Sequence, residues 1–349
     1  MNERKVKIME KLTVAVVGAM GAVGTEMLAT LEKSSLPMTE VIPLDIPENA
    51  GKTVNFRGQP LTVKEAKEGA FNGVDIALFS AGEKASEILS PVAVAEGAVV
   101  IDNSNAFRMD PNVPLVVPEV NPQAAQKHKG IIANPNCSTI QMLVALKPLH
   151  ERFKIKRIIV STCQAVSGTG LPGIDELNKQ AASYVSGQKL EHSVYPHQIA
   201  FNAVPHIDVF MENGYSKEEM KMFHETRKIL DDQEIQLTAT AVRIPVFRCH
   251  SESINIETEK PLPDITQIKS ILKDAPGIQV MDDLMKNIYP MPAYLKGTDK
   301  VYVGRLRKDF SIENGLNMWV VADNVRKGAA LNAVQIAELI VEKGWLKGE

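Results

Sequence analysis

A short β-branched run, Thr13-Val14-Ala15-Val16-Val17, leads straight into Gly18-Ala19-Met20-Gly21-Ala22-Val23-Gly24, and a helical pattern follows over residues 22–33. Strand, glycine loop and helix in that order narrow the choices for the first third of the chain more than any other feature does. A strand that ends in glycine and feeds a helix is the opening of a parallel β–α–β unit. Val23, Met27, Leu28 and Leu31 fall along one side of the expected helix. Further apolar runs at 40–45, 74–80 and 98–102 lack polar alternation, and 83–96 reads as a helix between the last two. Such runs predict strands covered on both faces, so the fold class is α/β with a Rossmann-type parallel sheet.

Glycines at 18, 21 and 24 let the turn be tight and let backbone N–H groups approach a pyrophosphate, whose charge a helix N-terminus favours. The spacing is G-x-x-G-x-x-G rather than the commoner G-x-G-x-x-G, so the order of elements carries more of the reading than the spacing. A glycine turn without a ligand is the alternative. The second strand candidate ends at Asp45, and Glu48 follows. Two acids where a dinucleotide's ribose would lie repel a 2′-phosphate and lean toward NAD(H), although Lys52 could still reach one.

From about residue 155 the pattern changes. Strand candidates at 155–165, 236–246, 251–258, 301–306 and 316–322 include several with alternating polarity, interrupted by helices at 172–186 and 217–230. This predicts an α+β catalytic and dimerisation domain with a mostly antiparallel sheet, one face of it free for a second subunit. The expected division is a dinucleotide-binding domain over 1–137, completed by a C-terminal helix within 324–349, and a second domain over 138–323. The net charge of −3 offers no basic field for nucleic acid. The first ten residues lack the apolar centre of a signal peptide, and the early apolar window 12–31 is broken by glycines and Glu26, so no membrane span is expected. Three cysteines without metal-ligand spacing imply no metal and fit a reducing, cytoplasmic setting.

Cys137 lies in Asn134-Pro135-Asn136-Cys137-Ser138-Thr139, just before an amphipathic stretch carrying Ile140, Leu143, Val144, Leu146 and Leu149. A cysteine at a helix N-terminus is placed for a lowered pKa. Position alone leaves it open between nucleophile and buried structural residue. His250, between strand candidates and close to Arg243 and Arg248, is the candidate base, and arginines at strand ends suit an anionic substrate. Cys163 reads as core, Cys249 as structural, and Arg248 has no assigned role.

Together GAMGAVG, NSNAFR at 103–108, NPNCST at 134–139, QAVSGTG at 164–170, RIPVFRCHSES at 243–253 and DNVRKGAA at 323–330 resemble the aspartate-β-semialdehyde dehydrogenase family over essentially the whole chain. The related acetylglutamyl-phosphate reductases usually carry Gly where Asn136 stands. The resemblance implies that Cys137 is the nucleophile and His250 the acid/base. Gln164 and Arg243 would orient the substrate, Arg243 by its α-carboxylate. Arg108 and Lys221 would hold phosphate. Glu218, with its neighbour Glu219 as the alternative, would meet the substrate amino group, and Asn136 would help stabilise the oxyanion. Met20, Gly21, Ala22 and Val23 would face the cofactor phosphates, with Ser167, Gly168 and Asn324 also contacting the cofactor. Family resemblance implies NADP(H); Asp45 and Glu48 point toward NAD(H) or dual use. The implied reaction is reversible reduction of aspartyl 4-phosphate to the semialdehyde, feeding lysine, threonine and methionine synthesis. The implied partners are the acyl phosphate or aldehyde, inorganic phosphate, and a second copy in a homodimer or dimer of dimers. The alternatives are an acetylglutamyl-phosphate-type reductase on the same fold and a non-catalytic dinucleotide-binding protein.

Overall fold

A computed structural model describes residues 11–348; the reading of the first ten residues lies outside them. The first sheet is built from β1 (Leu12–Val17), α1 (Ala22–Leu31), β2 (Met38–Asp45), a hairpin of β3 (Thr53–Phe56) and β4 (Gln59–Thr62), β5 (Lys64–Glu65), β6 (Ile76–Phe79), α2 (Glu83–Ala95), β7 (Val99–Asp102) and β8 (Ile131–Ala133). The hairpin stands apart as its own two-stranded sheet. The strand order β5-β2-β1-β6-β7-β8 is parallel throughout. Val14 and Val16 pack with α1 and the C-terminal helix on one face, while Ala15 and Val17 pack with Ala93 of α2 on the other. That two-sided burial is why β1 reads as an unbroken apolar run. The strand order reverses at β1, with β2 on one side and β6 on the other. The crevice at the C-terminal ends of strands at such a reversal is where ligands bind in open α/β sheets.

The chain then passes through α3 (Cys137–Phe153), β9 (Ile155–Gln164), α4 (Leu171–Val185), α5 (Lys217–Leu230), β10 (Gln236–Arg243), β11 (His250–Thr258), α6 (Ile265–Lys273), β12 (Ile278–Val280), α7 (Pro292–Leu295), β13 (Val301–Asp309) and β14 (Gly315–Ala322). A π-helical turn, Arg326–Ala330, opens into α8 (Leu331–Lys343). The second sheet has the order β10-β9-β11-β14-β13-β12 and is mixed. Its central pairings are antiparallel, while β10 with β9 and β12 with β13 are parallel. One face is covered by α3, α5 and α6, which share a core with Ile158, Val160, Ile254, Ile256, Met318 and Val320. On the other face Ser161, Thr240 and Ser253 are exposed, and Cys163, expected as core, is only half-buried there.

Local differences have local causes. The strand expected over 236–246 stops at Arg243 because Pro245 has no N–H to continue the ladder. Helical spacing reads through 328–343, but the backbone widens first: the N–H groups of Gly328 and Ala330 bond five residues back, to Asp323 and Val325 carbonyls.

Candidate active site

The second sheet aligns its functional residues along one edge. In the parallel register of β9 and β10, Gln164 stands opposite Arg243. β11 begins at His250, paired with Ala322 at the end of β14. α3 starts at Cys137, immediately after the segment that leaves β8 of the first sheet. Asn136 caps it, its Oδ1 accepting from the Ser138 and Thr139 N–H groups at 3.0 and 3.3 Å. The nucleophile candidate therefore lies where the two sheets meet, in a cleft of about 460 Å³. Asn136, Cys137, Gln164, Glu218, Arg108, Lys221, Arg243, Ser167, Gly168, Asn324 and Val23 all line it.

Each polar side chain is held from behind. Glu218 is buried, and its Oε1 accepts from Asn136 Nδ2 (2.9 Å) and Gln164 Nε2 (3.1 Å), with Lys221 Nζ 3.3 Å from Oε2. Its neighbour Glu219 closes a capping box with Ser216 and accepts from the Ala241 N–H, which removes it from the cleft. Burial pushes Glu218 up, but Lys221, Asn136 and Gln164 outweigh it and hold the carboxyl below the usual range. Lys221 also donates to Asp208 at 2.7 Å. Arg108 places three of its N–H groups inward, on the Asn134 carbonyl, the Asn103 carbonyl and Glu225 Oε1, leaving two others.

Glu225 went unnoticed in the sequence. It is buried, pairs with Arg108 at 3.0 Å and accepts the Asn136 N–H at 2.7 Å, so one carboxyl orients both a cation and the cap of α3. Its signal was periodic: Glu225 lies four residues beyond Lys221 and seven beyond Glu218 on α5, the spacing of one helix face.

Arg243 donates Nη1 to the Ala165 carbonyl at 2.6 Å, while its Nε is buried without a partner. His250 is fully buried. Its Nδ1 accepts from the Ala165 N–H at 3.0 Å, so the neutral ring carries its proton on Nε2, which has no partner. A Cβ at Gly168 would lie 2.7 Å from Arg243 Nη1 and 3.4 Å from His250 Nε2, so glycine there leaves Arg243 its place beside the ring. Burial, then Arg243, pushes His250 well below the ordinary imidazole range.

The expected lowering of the Cys137 pKa is reversed. Burial, then the Glu218 carboxylate, pushes the thiol up to about 12, against the pull of Arg108, Arg243 and the Ser138 N–H. A helix N-terminus is worth about 0.3–1 kcal/mol at an exposed site, less than the desolvation of a buried thiolate.

The glycine loop fits a dinucleotide. A Cβ at Gly18 would overlap the Ser80 carbonyl, and one at Gly24 the Gly18 carbonyl, so the turn closes only with glycine at both positions. α1 begins after Gly21 with no side-chain cap and no acid in its first turn, leaving its N–H groups for an anion. Met20, Gly21 and Ala22 are half-buried in this loop, and Val23 reaches the cleft. Ser167 and Asn324 bond each other across the cleft at 2.9 Å. Asp45 is not free to face a ribose: buried, it accepts from the Met20 and Ile46 N–H groups and from Asn49 Nδ2, which braces the loop.

Comparison with other proteins places the chain in a family. Residues 13–128 match the family described as semialdehyde dehydrogenase, NAD binding domain, and residues 146–327 match semialdehyde dehydrogenase, dimerisation domain. The aspartate-semialdehyde dehydrogenase of Aquifex aeolicus is 55% identical over 337 residues, covering 95% of this chain and 99% of its own. This chain belongs to the aspartate-semialdehyde dehydrogenase family. The Bacillus subtilis relative of the same name is 51% identical over 334 residues, 94% of this chain and 96% of its own. Among solved structures, aspartate semialdehyde dehydrogenase II of Vibrio cholerae complexed with ASA superposes with a TM-score of 0.93 at 48% identity, covering 95% and 99% of the two chains. The Candida albicans member, solved with NADP, superposes at 0.77 with 26% identity, over 96% of this chain and all of its own. Membership makes the chain an oxidoreductase of amino-acid biosynthesis, with an NAD-binding domain followed by a dimerisation domain. Among the described residues no helix is long and apolar enough to cross a membrane.

Proposed function

We propose that this chain catalyses the reversible, NAD(P)-dependent reductive dephosphorylation of L-4-aspartyl phosphate to L-aspartate 4-semialdehyde through a thioester on Cys137. The observation that carries this reading is the convergence on one cleft of a cysteine, a carboxylate grip, an ammonium grip and a phosphate grip. Arg243, with its unpartnered Nε, takes the α-carboxylate. Glu218 faces the amino group. A carboxylate stabilises a free ammonium and gains nothing from an acetylated amine, which favours the aspartyl substrate over the acetylglutamyl one. The two outward N–H groups of Arg108 and the Lys221 ammonium take the phosphate.

Cys137 sulfur attacks the acyl carbon, the C–O bond to the phosphoryl group breaks, and phosphate leaves with the bonding pair and the thiol proton. A reduced nicotinamide, when bound along the glycine loop, supplies the hydride that converts thioester to thiohemiacetal. His250 Nε2–H donates a hydrogen bond to the developing oxyanion, near the Asn136 end of α3, and holds it until the oxyanion collapses, the C–S bond breaks and the aldehyde leaves. A solvent proton restores the thiol. We read residues 1–137 with 324–349 as the dinucleotide-binding domain and 138–323 as the catalytic domain of a cytoplasmic homodimer or dimer of dimers. Glu48, three residues past the end of β2, is exposed and no arginine occurs between 45 and 52, which supports NAD(H) or dual use.

The test is phosphate-dependent oxidation of the semialdehyde, with NAD⁺ and NADP⁺ side by side, by the unsubstituted chain and by Cys137→Ala. The variant should bind dinucleotide and turn nothing over; turnover near the unsubstituted rate sinks the thioester. A preference for NADP⁺ greater than about tenfold in kcat/KM overturns the dinucleotide reading.

A further inference from the structure

Arg248 takes no part in the chemistry above, yet its guanidinium joins the two halves of the molecule. It stands in the turn between β10 and β11, two residues before His250. Nη1 meets Glu26 Oε2 at 2.9 Å, Nε donates to Asp323 Oδ1 at 3.2 Å, and Nη2 forms an ion pair with Asp323 Oδ2 at 2.8 Å without hydrogen-bond alignment. Glu26 lies on α1, one turn beyond the glycine loop, and its other oxygen takes Arg326 Nη1 at 2.5 Å. Arg326 in turn reaches Asp299 through Nε at 2.7 Å. The side chains of Arg248, Glu26 and Arg326 are only 18%, 15% and 7% exposed, and Asp323 is fully buried, so solvent screens this cluster weakly. Burial pushes Glu26 up, but the two arginines outweigh it and hold the carboxyl ionised, below its ordinary range.

The residue between Arg248 and His250 is strained. Cys249 holds a φ of +75°, a left-handed conformation that disfavours a side chain, secured by its N–H on Asn324 Oδ1 at 3.0 Å. Asn324 also bonds Ser167 in the cleft. A side chain fixed at 248 and a backbone fixed at 249 leave the next residue, His250, little freedom in direction. Through Glu26, Arg248 therefore holds α1, whose N-terminus would face the dinucleotide diphosphate, in a set position relative to the His250 ring.

Resting on the dehydrogenase reading above, we propose that Arg248 is a positioning residue that couples seating of the dinucleotide on α1 to the placement of the His250 imidazole, acting through Glu26 on one side and the strained Cys249 on the other. Such coupling is reciprocal: whatever fixes α1 favours the productive ring position, and the reverse.

The test uses the full chain as Arg248→Met, which keeps the aliphatic stem, Arg248→Lys, Glu26→Gln, and the Arg248→Met/Glu26→Gln double variant. Binding of reduced dinucleotide is read directly by its fluorescence, and kcat and KM by semialdehyde oxidation. Arg248→Met should lower kcat and weaken dinucleotide binding by about tenfold each, with the KM for semialdehyde within about twofold. The double variant should be no worse than Arg248→Met alone, because both remove one bridge, and Arg248→Lys should recover most of both losses. Losses of Arg248→Met under twofold, multiplicative effects in the double variant, or no recovery with lysine would each overturn the proposal. Failure of the underlying reading is a different result: the unsubstituted chain would show no phosphate-dependent oxidation, while dinucleotide titration would still report on the bridge.

Discussion

Alanine at Gly328 sets a backbone gain against a packing loss, and the geometry decides between them. Gly328 lies in the π-helical turn without a left-handed φ, so alanine is favoured there by about 1 kcal/mol of helix propensity. Its new Cβ would stand 2.8 Å from Cys137 Cβ and 3.3 Å from its Cα, whereas ordinary van der Waals contact is 3.4–4 Å. Something must therefore move by roughly 0.6–1.2 Å, in a core packed as tightly as an organic crystal. Neither side yields easily. Ser138, Thr139 and Ile140 behind Cys137 are fully buried, and Lys327 beside the glycine is tied to Glu119, Asn332 and Gln335. Overpacking costs about 1–3 kcal/mol, for a net destabilisation of about 0–2 kcal/mol after the propensity gain. That lowers Tm by at most about 3 °C in a chain of this size. Catalysis suffers more, because displacing the nucleophile by about 1 Å costs on the order of 100-fold in rate. Calorimetry, dinucleotide titration and steady-state kinetics together read all three terms. The expected pattern is a modest fall in Tm, intact dinucleotide binding and a kcat about 100-fold lower. A kcat within twofold of the unsubstituted chain would refute the claim that Gly328 sets the position of Cys137.

Two further outcomes follow from buried charge. Glu225→Gln keeps the shape of the side chain but leaves Arg108 without its counter-ion, in a setting where breaking a buried pair costs about 3–5 kcal/mol. Tm should drop clearly, and the KM for inorganic phosphate should rise by about tenfold while that for semialdehyde changes little; an unchanged phosphate KM counts against Glu225 as the support of Arg108. The Cys137 thiol, pushed up from 9.0 to about 12, stays protonated through the neutral range, so alkylation by iodoacetamide should accelerate only above pH 9. Because the folded value lies above the unfolded one, the stability linked to this proton is intact below pH 9 and is lost between 9 and about 12. An alkylation rate that levels off below about pH 8 would show a thiolate already formed.

Much of this architecture was legible because its causes are local. The helix at 217–230 matches its expected ends, since Ser216 and Glu219 form the capping box that starts it and an apolar periodicity carries it. β1 and its glycine loop were readable because an apolar run and glycines at fixed spacing leave few other folds open. The hairpin at 53–62 and α6 were not anticipated. The hairpin is short and largely exposed, with little hydrophobic pattern to detect. α6 did carry a start signal, Asp264 capping the Gln267 N–H, in a stretch to which no element was assigned.

What the sequence alone determined is the placement of chemistry on elements: a cysteine at a helix start, a histidine and two arginines around strand ends, glycines after the first strand. What only the tertiary structure decided is how each group behaves there. Two adjacent glutamates look alike in sequence, but α5 turns Glu218 into the cleft and spends Glu219 on its own cap. Asp45 reads as a ribose ligand and instead braces the loop. The Cys137 thiol is raised rather than lowered, because burial and the carboxylate of Glu218 outweigh the dipole of its own helix. The physical reason is common to all three. Helix and strand preferences are summed over neighbours along the chain, whereas burial and charge are summed over neighbours in space, and Glu218 lies far from Cys137 in the sequence.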